Sequence, residues 1–473
     1  MATGIPNKNG NGRSQPINIA YEGKKPASAI LKGKCGIFEN IHRGSMGKRL
    51  YFGDNLKCLR SLLSDMDVAG KVALVYIDPP FATKGTFLSR SLEKAYDDHI
   101  SGARYVEDLR ERLILLRELL SDQGSIYLHL DENMVFEMKL VMDEVFGSSC
   151  YRNLIVRKKC NPKNYTRKTY GNIADYILFY SKTDQYIWNR PVEPLSEESL
   201  KEYHYTESET GRRYMKVPVH APGTRNGATG GTWRGMLPPP GKHWQYIPTT
   251  LDEMDARGEI FWSKNGNPRR KVYLDGHSGV GVQDIWLDFK DAHNQNIKIT
   301  GYPTEKNPDL LCRIIGASSN PGDLVLDCYA GSGTTLAVGN EMQRNWIGID
   351  NSLEALSAML KRFQQGLLPM GDYVQECKEK KQPVLQQSTL FDTLCENTSS
   401  LASLMSAVHK PINDFTIFVE RGESSEAFSI IKTWQQGKNA KFTQPTLEIH
   451  EPSRRIHGIR EKQCPASLNH NLE

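Results

Sequence analysis

The chain has no Cys-x-x-Cys pair, no apolar run long enough to cross a bilayer and no strong net charge of either sign over its 473 residues. Each absence closes a door. The nine cysteines (Cys35, Cys58, Cys150, Cys160, Cys312, Cys328, Cys377, Cys395 and Cys464) stand singly, which excludes zinc-ribbon and thioredoxin-type motifs. Their odd number, with Cys58 and Cys312 inside helical patterns, fits a reducing cytoplasm better than a disulfide framework. No metal site is expected. Residues 1–15 are polar and Gly/Asn-rich and lack the apolar stretch of a signal peptide. With no spanning run, no membrane association is expected. The formal charge of +5 does not by itself mark a nucleic-acid partner. Its distribution says more: residues 152–298 carry 23 Lys and Arg against 16 Asp and Glu, so the remainder is slightly acidic. A basic segment on a near-neutral body suits contact with phosphates.

Two short motifs dominate what is present. Asp78-Pro79-Pro80-Phe81 ends the apolar run Val72-Ala73-Leu74-Val75-Tyr76-Ile77, and Asp327-Cys328-Tyr329-Ala330-Gly331-Ser332-Gly333-Thr334-Thr335 ends Leu324-Val325-Leu326. Each reads as a buried strand followed by a sharp turn. Around them, strand and helix patterns alternate. Leu56, Leu59, Leu62 and Leu63 recur at helical spacing, as do Val106, Leu109, Leu113, Leu116 and Leu120. Ser125 to Leu130 reads as a strand and Asn133 to Phe146 as a helix stopped by Gly147. This alternation predicts an α/β fold with a doubly wound, mostly parallel, Rossmann-like sheet. The expected organisation is a mobile lead-in over 1–45, a nucleotide-type domain from 46–160 and 300–370, a large basic insertion over 161–299, and a C-terminal region over 371–473 with no functional reading.

The glycine turn suits a nucleotide-like ligand. Gly331 and Gly333 lack Cβ atoms and tolerate positive φ. Thr334 and Thr335 open a helix whose free N–H groups can meet a carboxylate. Asp350 ends the next strand, where an acid can accept hydrogen bonds from ribose hydroxyls. On these residues alone, a dinucleotide fits almost as well as S-adenosylmethionine. The acid-proline turn separates the two. The exocyclic amine of a base is a poor nucleophile because its lone pair is delocalised into the ring. Asp78 and the carbonyl of Pro79 offer two acceptors for its N–H groups, and the prolines aim them in advance. Phe81 offers a ring face for a flipped base.

At these residues the chain resembles a β-class amino methyltransferase of DNA, of the kind found in restriction-modification systems. The catalytic motif precedes the cofactor loop, with the insertion between them. Leu50-Tyr51-Phe52-Gly53-Asp54-Asn55-Leu56 and Tyr302-Pro303-Thr304-Glu305-Lys306 resemble the family segments ahead of each. The resemblance implies that Asp78, Pro79, Pro80 and Phe81 hold and activate the target base. It implies that Asp327, Tyr329, Gly331, Gly333 and Thr334 line S-adenosylmethionine, that Asp350 holds its ribose, that Asp54 lies near its adenine, and that Thr304 and Lys306 lie near its methionine end. Residues 161–299 become the target-recognition region. Phe81 stands where the family more often has tyrosine, and Asn307 where it often has proline.

The implied activity is methyl transfer to adenine N6 in double-stranded DNA. Cytosine N4 is the alternative, because both amines suit the same acceptors. A catalytically silent DNA-binding subunit and a dinucleotide oxidoreductase are readings of other classes, but intact Asp78 and Phe81 argue against the first and the acid-proline turn has no role in the second. A homodimer and a restriction subunit are the partners the resemblance suggests beyond DNA. Arg157, Lys158, Lys159, Arg167, Lys168, Arg269, Arg270 and Lys271 are the candidate phosphate contacts.

Overall fold

Strands in the middle of a parallel sheet are covered on both faces, so they read as unbroken apolar runs. Val72–Ile77 is such a run, buried at every position. In the computed structural model, which describes residues 19–80, 86–88, 94–97, 102–161, 168–276, 279–289, 305–365, 411–423 and 425–436, this strand lies inside a ten-stranded sheet. In chain order its strands are β1 (Phe38–His42), β2 (Lys48–Phe52), β3 (Val72–Ile77), β4 (Leu120–Leu130), β5 (Tyr151–Lys158), β6 (Ala174–Ser181), β7 (Ile285–Trp286), β8 (Leu324–Asp327), β9 (Asn345–Asp350) and β10 (Thr416–Glu420). Their spatial order is β1-β10-β2-β9-β8-β3-β4-β6-β5-β7. Only β1 and β6 run against the rest.

The winding changes direction between β3 and β8. Helix α1 (Asn55–Leu62) precedes β3, and α2 (Ala103–Leu119) carries the chain from β3 to β4 on one side. Helix α3 (Val135–Phe146) packs on α2. Helix α4 (Pro308–Ser318) leads into β8, and α5 (Thr334–Glu341) carries the chain from β8 to β9 on the other side. Helix α6 (Leu353–Gln365) packs on α5, and α7 (Ser425–Gln436) on α6. Right-handed crossovers that step in opposite directions fall on opposite faces of a sheet. The molecule therefore has helices on both faces, and the carboxyl ends of β3 and β8, which are hydrogen-bonded neighbours, open into the crevice where such folds bind ligands.

Three parts of the chain enter this sheet from outside the expected domain. Residues 27–42, placed by composition in a mobile lead-in, contain the short helix Ala27–Leu31 and the edge strand β1. Only Phe38 of β1 is buried, and its partner β10 lies far along the chain, so no local periodicity betrays it. Strand β10 falls in the C-terminal region and is buried at every position between β1 and β2. Strands β6 and β7 lie within residues 161–299, β6 pairing with β4 and β5 and β7 with β5.

Residues Val192–Val282 form a separate compact unit. Tyr205–Thr206, Arg213–Pro218, Pro268–Tyr273 and Ile260–Trp262 make an antiparallel sheet. Its core holds Val219, Trp233, Trp244, Leu251, Met254 and Ile260. The indole N–H groups of Trp233 and Trp262 donate to Asp252 and Asp255, and that of Trp244 donates to the Gly231 carbonyl. Val192–Glu193 pairs with Val280–Gly281, which clasps the two ends of the unit together. No helix among the described residues is long and apolar enough to cross a membrane.

Candidate active site

Four parallel strands in the order β2-β9-β8-β3 deliver four acids to one sheet edge: Asp54 just past β2, Asp350 ending β9, Asp327 ending β8 and Asp78 just past β3. Parallel pairing makes this unavoidable, since neighbouring strands end on the same side. The two motifs that are some 250 residues apart in sequence thus meet at adjacent strand ends.

Asp78 is the most telling of the four. Its Oδ2 lies 3.0 Å from Nζ of Lys306, which is itself buried. Its Oδ1 is also buried and has no hydrogen-bond partner among the described residues. Such an atom is costly unless something arrives to bond it. Pro79, buried beside it, fixes the turn. Phe81 and Thr304 lie outside the described residues. Lys306 sits just ahead of α4, where Asn307 caps the helix by accepting from the N–H of Asp309 at 2.8 Å and Pro308 takes the first helical position. The asparagine in place of the family's proline is therefore a helix cap. The resemblance put Lys306 near the cofactor's methionine end; here its ammonium faces Asp78.

Asp327 supports the glycine turn from below. Its Oδ1 accepts from the N–H of Tyr329 at 3.0 Å and its Oδ2 from the Thr335 hydroxyl at 2.6 Å. Burial, reinforced by the nearby charges of Asp78 and Asp350, pushes its carboxyl up to about 7. Above the turn, Asp350 accepts from the N–H groups of Gly331 at 2.8 Å and Ser352 at 2.9 Å. Burial raises its carboxyl as well. Gly333 sits at φ +74° at the N-cap of α5, and as a glycine it supplies no side-chain cap to the helix's first N–H groups. A Cβ there would come within 2.8 Å of Met359 Cγ.

Asp54 has a local task. Its Oδ1 caps α1 through the N–H groups of Leu56 at 2.8 Å and Lys57 at 3.1 Å. The neighbouring Asn55 ties the motifs together, donating to the Cys328 carbonyl at 2.8 Å while accepting from Arg112 Nε at 2.6 Å. Glu420, at the end of β10, accepts from the Asp54 N–H and pairs with Lys57. A buried ion pair between Arg362 and Glu305 holds α6 against the segment that carries Lys306, and Arg362 Nε donates to the Ser332 carbonyl at 2.9 Å.

The sequence reading passed over two buried polar residues beside Asp78. His129 in β4 is fully buried, with Nδ1 at 2.8 Å from the Tyr76 hydroxyl and Nε2 at 3.4 Å from Asp175 Oδ2. Asp175 in β6 also meets Lys159 Nζ at 2.8 Å and Arg157 at 3.5 Å. The available signal was a histidine and an aspartate inside otherwise apolar strands, where a polar group needs a partner.

The candidate phosphate contacts divide. Arg157 is fully buried, donating to the Phe289 carbonyl and facing Asp175, so it belongs to the interior and its assignment to the DNA surface is corrected. Lys159 is tied to Asp175. Lys158 is half-exposed and Lys168 exposed, and Arg167 lies outside the described residues. In the Val192–Val282 unit, Arg270 donates to the Tyr246 hydroxyl on the core side and Lys271 pairs with Glu207 at 2.7 Å, leaving Arg269 exposed. Lys216 stands opposite Lys271 in the strand register, its ammonium over the rings of Tyr205 and Phe261.

These residues fit an S-adenosylmethionine-like ligand. The cradle has no room for a Cβ at Gly333, the N-terminus of α5 lies beside it without a capping side chain from that glycine, and an acid ends the following strand. No group of three or more His, Cys, Asp or Glu among the described residues is arranged to hold a metal ion.

The chain is similar to known DNA methylases and methyltransferases. The N6/N4 family model for DNA methylase matches residues 72–361. The Type II methyltransferase M.EcaI of Enterobacter cloacae is 49% identical over 376 residues, covering 77% of this chain and 81% of that protein. The Type III restriction-modification enzyme StyLTI Mod subunit of Salmonella typhimurium is 26% identical over 320 residues, covering 60% of this chain and 48% of that protein. Among solved structures, the M1.HpyAVI–SAM complex is 16% identical with a TM-score of 0.36, covering 66% of this chain and 98% of that one.

Proposed function

The chain belongs to the N6/N4 family of DNA methylases, S-adenosylmethionine-dependent DNA methyltransferases, and from that premise we propose that it methylates the exocyclic N6 amine of an adenine flipped out of double-stranded DNA. The observation that carries this reading is the buried Oδ1 of Asp78, without a hydrogen-bond partner among the described residues, beside an Oδ2 held by Lys306. An amine entering there donates one N–H to Asp78 Oδ1 and the other to the Pro79 carbonyl. Both bonds draw the nitrogen toward tetrahedral geometry and free its lone pair. Lys306 keeps the carboxylate oriented for that purpose. The aspartate at the first catalytic position favours adenine over cytosine by family resemblance, and Phe81 is read as the ring that stacks on the flipped base.

S-adenosylmethionine, when bound, supplies a methyl group already activated by its sulfonium. Asp350 would hold its ribose and Asp54 would flank its adenine. Tyr329, Gly331, Gly333 and Thr334 would form its cradle, with Asp327 bracing the turn beneath. The basic residues of the insertion, Arg269 and Lys168 first among them, are read as backbone contacts, and the chain as the modification half of a restriction-modification pair.

Nucleoside mass spectrometry of DNA from a host expressing the chain tests the proposal. N6-methyladenine is the expected product. N4-methylcytosine would overturn the choice of base. Absence of any methylated base, with S-adenosylmethionine still raising the melting temperature, would replace the enzyme with a silent DNA-binding subunit.

A further inference from the structure

The row of acids along the sheet edge has a fifth member. Strand β10 runs parallel to β2 with Val419 opposite Phe52, so Glu420 stands beside Gly53 at the strand ends. The approach is tight. A Cβ on Gly53 would lie 2.6 Å from Glu420 Cβ, and Gly53 takes φ +149°, so only glycine leaves room for the acid. Glu420 is buried, and its two oxygens have separate tasks. Oε2 accepts from the backbone N–H of Asp54 at 2.9 Å, and Oε1 accepts from Lys57 Nζ at 2.7 Å. In a capping box the third residue of a helix is Glu or Gln, whose side chain reaches back to the N–H of the capping residue. Helix α1 has Asp54 as its cap and Lys57 in that third position. Lysine has no acceptor to offer. The missing half of the box comes instead from Glu420 in β10.

We propose that Glu420 is a positioning residue for the adenosine half of S-adenosylmethionine, acting through the turn at Asp54. The proposal rests on the methyltransferase reading above. The turn between β2 and α1 is anchored at three points. The Gly53 N–H donates to the Asp350 carbonyl at 3.0 Å, the Asn55 amide donates to the Cys328 carbonyl at 2.8 Å, and the Asp54 N–H donates to Glu420. The first two anchors tie the turn to the ribose acid and to the glycine turn, and Glu420 supplies the third. Without it, a water can bond the Asp54 N–H but cannot fix where that N–H lies. The turn then spends part of its time away from the place that flanks the adenine, and apparent affinity falls with the competent fraction. Strands β9 and β8 stand between β2 and the Asp78 corner of β3, so the transfer step itself is spared. The signature is weaker cofactor binding with kcat preserved at saturating S-adenosylmethionine.

Calorimetric titration of the full chain with S-adenosylmethionine tests this, with kcat measured on unmethylated genomic DNA at saturating cofactor. Glu420→Leu should weaken binding about tenfold while kcat stays within about threefold. Glu420→Gln keeps a carbonyl oxygen for the Asp54 N–H and should bind within about threefold of the wild type. Lys57→Met removes the half-exposed ion pair but leaves the N–H bond, and should also stay within about threefold. The proposal is overturned if Glu420→Leu folds and binds as the wild type does, if Glu420→Gln or Lys57→Met loses as much affinity as Glu420→Leu, or if kcat falls in place of affinity. Losses that follow melting temperature alone overturn it as well. Should Glu420→Leu fail to fold, Glu420→Asp, which keeps the charge on a shorter side chain, takes its place under the same criteria. A wild-type chain that does not bind S-adenosylmethionine marks failure of the underlying reading. A wild-type chain that binds it while the variants break this pattern marks failure of the Glu420 proposal alone.

Discussion

Lys306 and Asp78 meet at 3.0 Å although one precedes α4 and the other follows β3, and the contact leaves the second oxygen of Asp78 buried and without a partner among the described residues. This asymmetry, one oxygen held and one waiting, is what a residue that must accept a substrate N–H requires. Asp78→Asn keeps the shape but turns half of the group into a donor. It should cut methyl transfer by about 10²–10³, the range seen for losing one preorganised partner. Affinity for S-adenosylmethionine, measured by calorimetry, should stay near that of the wild type.

Gly333→Ala should destabilise the protein by about 1–3 kcal/mol, combining left-handed backbone strain with a close approach to Met359. Urea unfolding measures it. Adding Met359→Ala should remove the steric share and leave the backbone share.

Asp327 gives stability a distinctive pH dependence. Its carboxyl is raised from 3.8 to about 7 in the fold, so the folded state holds a proton that the unfolded chain releases. The favourable contribution is complete below the unfolded value and disappears as pH climbs through about 7. Asp327→Asn removes the titration but forfeits an acceptor, since Tyr329 and Thr335 both donate there. The variant should therefore be the less stable form at pH 5 and close the gap by pH 8. Unfolding curves at the two values would show a constant difference if the carboxyl does not titrate in this window.

Two arginines of similar sequence context should behave oppositely. Arg157→Ala leaves Asp175 without one of its buried partners, and should cost about 3–5 kcal/mol of stability. Arg269→Glu should leave the melting temperature near that of the wild type and weaken DNA binding, with the logarithmic salt slope flattened by about one unit or more. Charge counts on the sequence could not tell these apart.

What the sequence revealed follows from what is local. The strand-turn pairs at Asp78 and Asp327 announce themselves because the apolar run, the turn residues and the helix start are contiguous, and the structure sets them on neighbouring strands. Helices α1 and α2 were readable from their spacing alone. The hidden parts depend on distant partners. Strand β1 buries one side chain, and its pairing with β10 cannot be read from either segment. His129 looked like one polar residue in an apolar strand until Tyr76 and Asp175 closed on it from β3 and β6. Arg157 looked like surface charge for the same reason, its carboxylate being on another strand.

Strand β10 has a consequence for how the molecule comes into being. Its Glu420 fastens the backbone of Asp54 across 366 positions of chain, and β10 itself lies between β1 and β2. As the polypeptide leaves the ribosome, β2 must wait with an open edge until the segment around 416–420 emerges. One flank of the cofactor-side crevice is therefore among the last pieces to be set. A nascent chain halted before that point would carry every glycine and proline of both motifs and still present a raw strand to its neighbours, a species suited to chaperone capture or clumping and not to catalysis.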